Sequence, residues 1–148
     1  MIILIMLNSN TQIFLHQSVK TLFIPLVLSR VCAGFPSPAE DYIEGRIDLN
    51  RELIKNPSAT FYVRVINDSM ETLISPGELL VVDRMAETKD KDIVVARLND
   101  ELCVKRLRFT DDGVIYLVSA NPKYQPITIT EFCDFEIWGK VLHSIQTF

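Results

Sequence analysis

Short runs of aliphatic, β-branched and aromatic residues alternate with turn-forming residues along the chain after residue 60. Runs of this length and composition are typical of β-strands. They are Phe61–Ile66, Leu79–Val82, Ile93–Leu98, Leu102–Leu107, Val114–Val118 and Phe135–His143. The turn-formers between them are Ser75-Pro76-Gly77, Asn99-Asp100, Asp111-Asp112-Gly113 and Asn121-Pro122. This pattern predicts a mainly β fold of compact, strongly curved antiparallel sheets.

The pattern changes before the first of these runs. Asp48 or Asn50 can cap a short helix that runs to about Ile54 and ends before Asn56-Pro57. Upstream, the two prolines of Gly34–Pro38 disfavour helix and favour an extended segment. We therefore expect residues 1–33 to form an extended N-terminal arm, residues 34–46 a tether, and residues 47–148 the folded body.

Composition narrows the class of protein. The chain has 148 residues, of which 48% are hydrophobic and 23% charged, enough for one globular domain with a core. The net charge of −4 argues against a domain that holds DNA by its phosphates. The cysteines, Cys32, Cys103 and Cys133, are dispersed without metal-ligand spacing, so we expect no metal, no cofactor and a reducing compartment.

The apolar runs of the arm raise the question of a membrane segment. Met1–Leu7 and Leu22–Leu28 are both far shorter than the ~20 apolar residues of a transmembrane helix. The order of a secretory signal is imitated here, because Lys20 is followed by the second apolar run and then by Val31-Cys32-Ala33. Arg30, however, interrupts the pattern next to the position where a signal peptidase would cut. We expect no membrane anchor and a cytoplasmic location, with the signal peptide as the alternative.

Ser69 follows a predicted strand directly, within Asn67-Asp68-Ser69-Met70. A serine at such a strand end has an exposed Oγ next to free backbone N–H groups, the donors from which oxyanion holes are built. An ordinary helix-capping serine explains the same local sequence equally simply. On local sequence alone, the capping interpretation is favoured.

A serine nucleophile needs a base, and Lys105 is better placed than His16 or His143. Strand alternation puts Lys105 on the face of Cys103 and Leu107. If that face is the inner one, burial lowers the pKa of the lysine. An unperturbed lysine, with a pKa of ~10.4, is neutral in about one molecule in 2,000 at pH 7. A lysine at an edge strand whose ammonium reaches solvent is the alternative.

Ser69 and Lys105 belong to a series of short motifs that follow one another along the chain. They are Phe35-Pro36-Ser37-Pro38-Ala39, Asp41-Tyr42, Arg46-Ile47-Asp48-Leu49-Asn50, Asn56-Pro57-Ser58-Ala59-Thr60, Asp68-Ser69-Met70, Ile74-Ser75, Gly77-Glu78-Leu79-Leu80, Val82-Asp83, Val104-Lys105-Arg106-Leu107, Asn121 to Tyr124, and Pro126-Ile127-Thr128-Ile129. From about Gly34 onward the chain resembles the UmuD-type proteins of the SOS response, relatives of the self-cleaving domain of the LexA repressor. The resemblance implies the β fold shared by LexA and signal peptidase.

The resemblance also implies roles for individual residues. Ser69 would be the nucleophile, Lys105 its neutral general base, and the backbone N–H groups of Asp68 and Ser69 the oxyanion donors. The self-cleavage site would be the Ala33–Gly34 bond. Two departures stand out. The arm does not match, and Asn67 occupies a position where the family usually has glycine. Since Asn tolerates a positive φ, we expect the turn to be kept.

The implied function has two stages. A RecA filament on single-stranded DNA would promote self-cleavage, and the product Gly34–Phe148 would serve as accessory subunit of a UmuC-type Y-family DNA polymerase in translesion synthesis. A homodimer is implied, without sequence-specific DNA binding. One alternative is a LexA-like repressor, for which 33 mostly apolar residues are too few to build a helix-turn-helix domain. Others are a membrane-anchored signal peptidase-like enzyme and a non-catalytic polymerase-accessory protein.

Overall fold

The computed structural model describes residues 5–7, 11–15, 21–27 and 43–148. These residues fall into two compact units. One contains the described part of residues 1–17 together with residues 56–148, and the other contains the described part of residues 18–55. The Ala33–Gly34 bond lies outside the described residues.

Nearly all of the regular structure is β. In chain order the strands are β1 (Ile5–Leu7), β2 (Thr11–Leu15), β3 (Ile24–Val27), β4 (Ile43–Ile47), β5 (Thr60–Arg64), β6 (Leu79–Asp83), β7 (Ile93–Leu98), β8 (Glu101–Phe109), β9 (Ile115–Val118), β10 (Ile127–Ile129) and β11 (Phe135–Ile145). Within the described residues, a short helix, α1, spans Leu49–Leu53, and a 3-10 turn spans Pro57–Ala59. The predicted mainly β fold is confirmed.

The larger unit is built on a nine-stranded sheet with the order β1-β2-β5-β6-β11-β7-β8-β9-β10. Its neighbouring strands pair antiparallel, including β2 with β5 at the register Ile13↔Val63. The final strand, β11, lies between β6 and β7 and pairs with both. The smaller unit contains the β3–β4 pair, at the register Ile24↔Ile47, and the helix α1.

The sheet is buried on both faces around β7. Its central residue Val95 belongs to one hydrophobic cluster, whereas its neighbours Val94 and Ala96 belong to another. Successive side chains of a strand point to opposite faces, so β7 contributes to two cores at once. The first cluster contains Phe61, Val63, Val65, Met70, Ile74, Leu80, Val82 and Val95; the second contains Val94, Ala96, Leu107 and Leu117.

The elements predicted after residue 47 lie close to their predicted bounds. The short helix is capped by Asp48, whose side chain accepts a hydrogen bond of 3.0 Å from the Asn50 backbone N–H. Strand β10 was not predicted, because it has only three residues and follows Pro126. Strand β4 occupies residues for which the sequence suggested an extended tether.

No helix within the described ranges is both long and apolar enough to cross a membrane.

Gly139 allows β11 to approach β6 unusually closely. It lies where the register of β11 against β7 shifts, between Ile137 and Gly139. A Cβ atom at Gly139 would lie 2.8 Å from Val82 Cγ1 and 2.9 Å from the Asp83 carbonyl oxygen. Asp83 itself is fixed, because its buried carboxylate accepts a 2.7 Å hydrogen bond from Asn56 Nδ2. A side chain at position 139 therefore has no space without movement of β6.

We predict that Gly139→Ala destabilises the protein by about 1–3 kcal/mol, the usual cost of overpacking a tight interior. Urea denaturation of the full chain measures this free energy of unfolding. Gly45→Ala is the matched control, because a Cβ there meets nothing within 4 Å. Equal stability of the two variants would contradict the predicted steric conflict.

Candidate active site

Ser69 lies on a tight turn that is anchored by the residue after it. The Met70 side chain is fully buried in the first hydrophobic cluster. Within the turn, the Glu71 N–H donates to the Asp68 carbonyl (3.0 Å) and the Ile74 N–H donates to the Met70 carbonyl (2.8 Å). The burial of Met70 therefore sets the position of the serine next to it.

Lys105 and Ser69 are in direct contact. The Lys105 Nζ donates a hydrogen bond of 2.8 Å to the Ser69 Oγ, across 36 positions of sequence. Both residues are buried, with 2% of Ser69 and 7% of Lys105 exposed. The structure thus joins the two residues that the sequence analysis singled out as nucleophile and base.

The burial of Lys105 on one face of β8 explains why its pKa is lowered. Leu107, two residues further on, is fully buried, so strand alternation places the lysine on the inner face as predicted. Burial lowers the pKa of the Lys105 ammonium, and interaction with the Cys103 thiol opposes this in part. The pKa of Cys103 is itself raised by burial. A lowered lysine pKa is what a general base needs at near-neutral pH.

Asn67 contacts the serine with its side chain. The Asn67 Oδ1 accepts hydrogen bonds from the Ser69 backbone N–H (3.2 Å) and from the Ser69 Oγ (2.9 Å). The turn is kept, as expected, but Asn67 does not adopt a positive φ. Among the described residues other than glycine, positive φ occurs at Thr72, Lys91, Asn99 and Asp100. Asn67 therefore acts through its carboxamide group rather than through backbone tolerance.

A segment after β9 holds the other side of the turn. The Asn121 N–H donates to the Ser69 carbonyl (3.0 Å), and the Asn121 Nδ2 donates to the Asp68 carbonyl (2.9 Å). The Tyr124 hydroxyl donates to the Asp68 carboxylate, a bond that raises the pKa of the tyrosine. The Tyr124 ring centroid lies 5.9 Å from the Lys105 Nζ, within the range of a cation–π contact. Asn121 and Tyr124 thus position both members of the Ser69–Lys105 pair.

Sequence reasoning did not assign these roles to Asn121 and Tyr124. It described Asn121-Pro122 as a turn and included both residues in a matching motif. The sequence did contain an indication of these roles, because an asparagine and a tyrosine close together in a family motif suggest side chains that make fixed hydrogen bonds. Their partners lie more than 50 positions away, however, and no local pattern identifies such partners.

The predicted oxyanion donors lie in the same turn but differ in their present contacts. The Ser69 N–H is bonded to Asn67. The Asp68 N–H makes no hydrogen bond to any residue that the structure describes. The predicted cleavage-site residues, Ala33 and Gly34, lie outside the described ranges.

Comparison with known proteins is consistent with this geometry. The profile of the family described as Peptidase S24-like matches residues 25–142. The chain belongs to this family. Protein ImpA of Salmonella typhimurium is 39% identical over 123 residues, which cover 82% of this chain and 85% of the relative. Protein MucA of Escherichia coli is 39% identical over 124 residues, covering 82% and 84%.

A LexA repressor, from Mannheimia succiniciproducens, is also similar. It is 38% identical over 126 residues, which cover 83% of this chain and 58% of the repressor. The chain is thus a LexA/UmuD-like member of the S24-like peptidases, a serine protease of the self-cleaving kind with a role in SOS mutagenesis and DNA repair.

We predict that the buried ammonium of Lys105 costs stability near neutral pH. In a Ser69→Ala background, which removes the nucleophile and its hydrogen bond, Lys105→Met should raise the urea midpoint at about pH 7. The gain should shrink towards about pH 10. The lysine pKa is lower in the native state than in the unfolded state, so between the two values the unfolded state binds more protons and the stability of the lysine protein rises with pH.

The control is Lys89→Met in the same background, because 70% of the Lys89 side chain is exposed. Its effect on the urea midpoint should not change with pH. A stability gain for Lys105→Met that is equally independent of pH would show that burial does not shift this lysine.

Proposed function

We propose that this S24-like peptidase cleaves its own Ala33–Gly34 bond, with Ser69 as nucleophile and Lys105 as general base. The observation that carries the proposal is the buried 2.8 Å hydrogen bond between Lys105 Nζ and Ser69 Oγ. Two supporting facts accompany it. Burial lowers the pKa of Lys105, and Ser69 lies on a turn held by bonds from Asn121.

The chemistry follows from these positions. Neutral Lys105 takes the hydroxyl proton as the Ser69 Oγ forms a bond to the Ala33 carbonyl carbon. The backbone N–H groups of Asp68 and Ser69 stabilise the negative charge that develops on the carbonyl oxygen. The C–N bond to Gly34 then breaks, the leaving amine receives the proton from Lys105, and the acyl group stays on Ser69. Water, deprotonated by Lys105, hydrolyses the ester.

This reaction defines the parts of the chain. Residues 1–33 are the arm that is removed, residues 34–46 are the tether, and residues 47–148 form the peptidase domain. The product is Gly34–Phe148. Cleavage happens once for each molecule, so it acts as a switch between two forms of the protein rather than as continuing turnover.

The resemblance to UmuD-type proteins suggests what operates this switch. We expect a RecA filament on single-stranded DNA to favour the cleavage-competent arrangement of the arm in the cytoplasm, without contributing catalytic groups. The processed form then acts as a homodimer and as accessory subunit of a UmuC-type Y-family polymerase in translesion synthesis. The relationship to ImpA and MucA supports a role in this pathway.

We predict that incubation of the purified chain at mildly alkaline pH produces a new N-terminus at Gly34. Ser69→Ala and Lys105→Ala should each slow this cleavage at least about 1,000-fold, because each removes a member of the reacting pair. N-terminal sequencing and intact-mass spectrometry measure the product. Addition of RecA, single-stranded DNA and a nucleotide should raise the rate at about pH 7.

The pH profile provides an independent readout of the base. Without RecA the rate should rise about tenfold for each pH unit until the pKa of Lys105 is reached, because only the neutral amine accepts the proton. Ser58→Ala and Lys89→Ala, at exposed positions, should cleave like the unaltered chain. Cleavage that persists in Ser69→Ala, or a flat profile from about pH 7 to about pH 10, argues against this mechanism.

Removal of the arm should also strengthen polymerase binding. Strand β2 of the arm covers the edge of β5, so cleavage followed by loss of the arm uncovers Thr60–Arg64. We predict that the self-cleaved protein binds a UmuC-type polymerase at least about tenfold more tightly than the uncut Ser69→Ala chain. Titration by surface plasmon resonance tests this, and equal affinities would refute it.

A further inference from the structure

The hydrogen bonds of the Ser69 hydroxyl have a direction that opposes catalysis. The Oγ accepts from the Lys105 Nζ at 2.8 Å and donates its own proton to the Asn67 Oδ1 at 2.9 Å. Attack requires the opposite arrangement, with the hydroxyl proton directed at the lysine nitrogen. As long as the Asn67 carboxamide accepts this proton, Lys105 does not.

The same oxygen atom occupies an oxyanion donor. The Asn67 Oδ1 also accepts from the Ser69 N–H, at 3.2 Å. In the proposed reaction this N–H must donate to the oxygen of the substrate carbonyl. One carboxamide oxygen therefore holds two of the groups that catalysis needs, whereas the Asp68 N–H has no bond to a described residue.

The serine turn does not depend on Asn67 for its shape. Met70 anchors it in the core, the Glu71 N–H closes it on the Asp68 carbonyl, and the Asn121 N–H bonds to the Ser69 carbonyl. The backbone of Asn67 has no positive φ that would require a special residue. The function of its side chain is therefore separable from the fold of the turn.

We propose that Asn67 is an inhibitory residue that keeps the uncut protein in a resting state by binding the Ser69 hydroxyl and the Ser69 N–H through one oxygen. The inference rests on the proposed roles of Ser69 and Lys105. Activation then includes displacement of this carboxamide. The carbonyl oxygen of the bound cleavage site competes with Asn67 for the Ser69 N–H, and this competition strengthens as negative charge develops on that oxygen, because a charged acceptor binds an N–H more strongly than a neutral amide oxygen does.

Substitution of Asn67 separates an inhibitory role from a structural one. Asn67→Ala removes the acceptor and should accelerate the reaction of Ser69 about tenfold, the equivalent of one hydrogen bond of ordinary net strength. Asn67→Gly should act in the same direction. Asn67→Asp keeps the acceptor and adds a negative charge close to Lys105, which favours the protonated lysine and should slow the reaction. The other ionisable groups near Lys105, on Cys103, Tyr124 and Asp68, are unchanged in all three variants.

Two rates should be measured on the full chain at the same mildly alkaline pH. The first is self-cleavage between Ala33 and Gly34. The second is phosphorylation of Ser69 by diisopropyl fluorophosphate, followed by mass spectrometry. In that step the Oγ–P bond forms, the P–F bond breaks, fluoride leaves, and the hydroxyl proton passes to Lys105. This second rate does not depend on where the chain is cut.

Both rates should be highest in Asn67→Ala and Asn67→Gly, intermediate in the unaltered chain, and lowest in Asn67→Asp. Loss of packing alone does not produce acceleration in one variant and slowing in another. An Asn67→Ala rate equal to or below that of the unaltered chain, an Asp rate equal to the Ala rate, or absence of labelling in every variant would overturn the inference. Labelling in the expected order without cleavage at Ala33–Gly34 would support the role of Asn67 and refute the proposed cleavage.

Discussion

The contact between a buried amine and a serine hydroxyl determines how the rest of the site is arranged. An ammonium group inside a core is unfavourable, and no carboxylate among the described residues forms an ion pair with Lys105. Its partners are the Ser69 Oγ and the face of the Tyr124 ring. A neutral hydroxyl and an aromatic ring leave the lysine free to lose its proton. An aspartate in their place would stabilise the charged form of the lysine more strongly.

Because the partners of Lys105 are a neutral hydroxyl and an aromatic ring, the position of the serine is critical. The hydroxyl is useful only within hydrogen-bond distance of the amine, so the turn has to be rigid. Three sources of rigidity converge on it: the buried Met70 side chain, the bonds from Asn121, and the bond between Tyr124 and Asp68. The same turn also carries Asn67, so the groups that hold the serine in place and the group that restrains its reaction lie within a few residues of each other.

Much of this arrangement was predictable from sequence, for identifiable reasons. Strands after residue 60 were recognised because apolar runs and turn residues are local signals, and the inward face of Lys105 followed from the two-residue alternation of a strand. The contact of Ser69 with Lys105 needed the motif order as well, since each residue alone had a simpler explanation. The hydrogen bonds of Asn121 and Tyr124 were not predictable, because they join residues far apart without periodicity. The side-chain hydrogen bonds of Asn67 were missed, because tolerance of a positive φ was considered and the side-chain oxygen was not.

The order of the sheet has a consequence for the timing of protein synthesis. Ser69 follows β5 and precedes β6, whereas Lys105 lies on β8, next to β7. The hydrogen-bonded connection between β6 and β7 is β11, which contains residues 135–145 and is synthesised after all the other described strands. A nascent chain that has made both reactive residues still lacks the strand that joins their two halves of the sheet. The Ser69–Lys105 contact therefore joins two halves of the sheet that β11 brings together, and under the proposed mechanism a chain synthesised only as far as β10 is not yet able to cut itself.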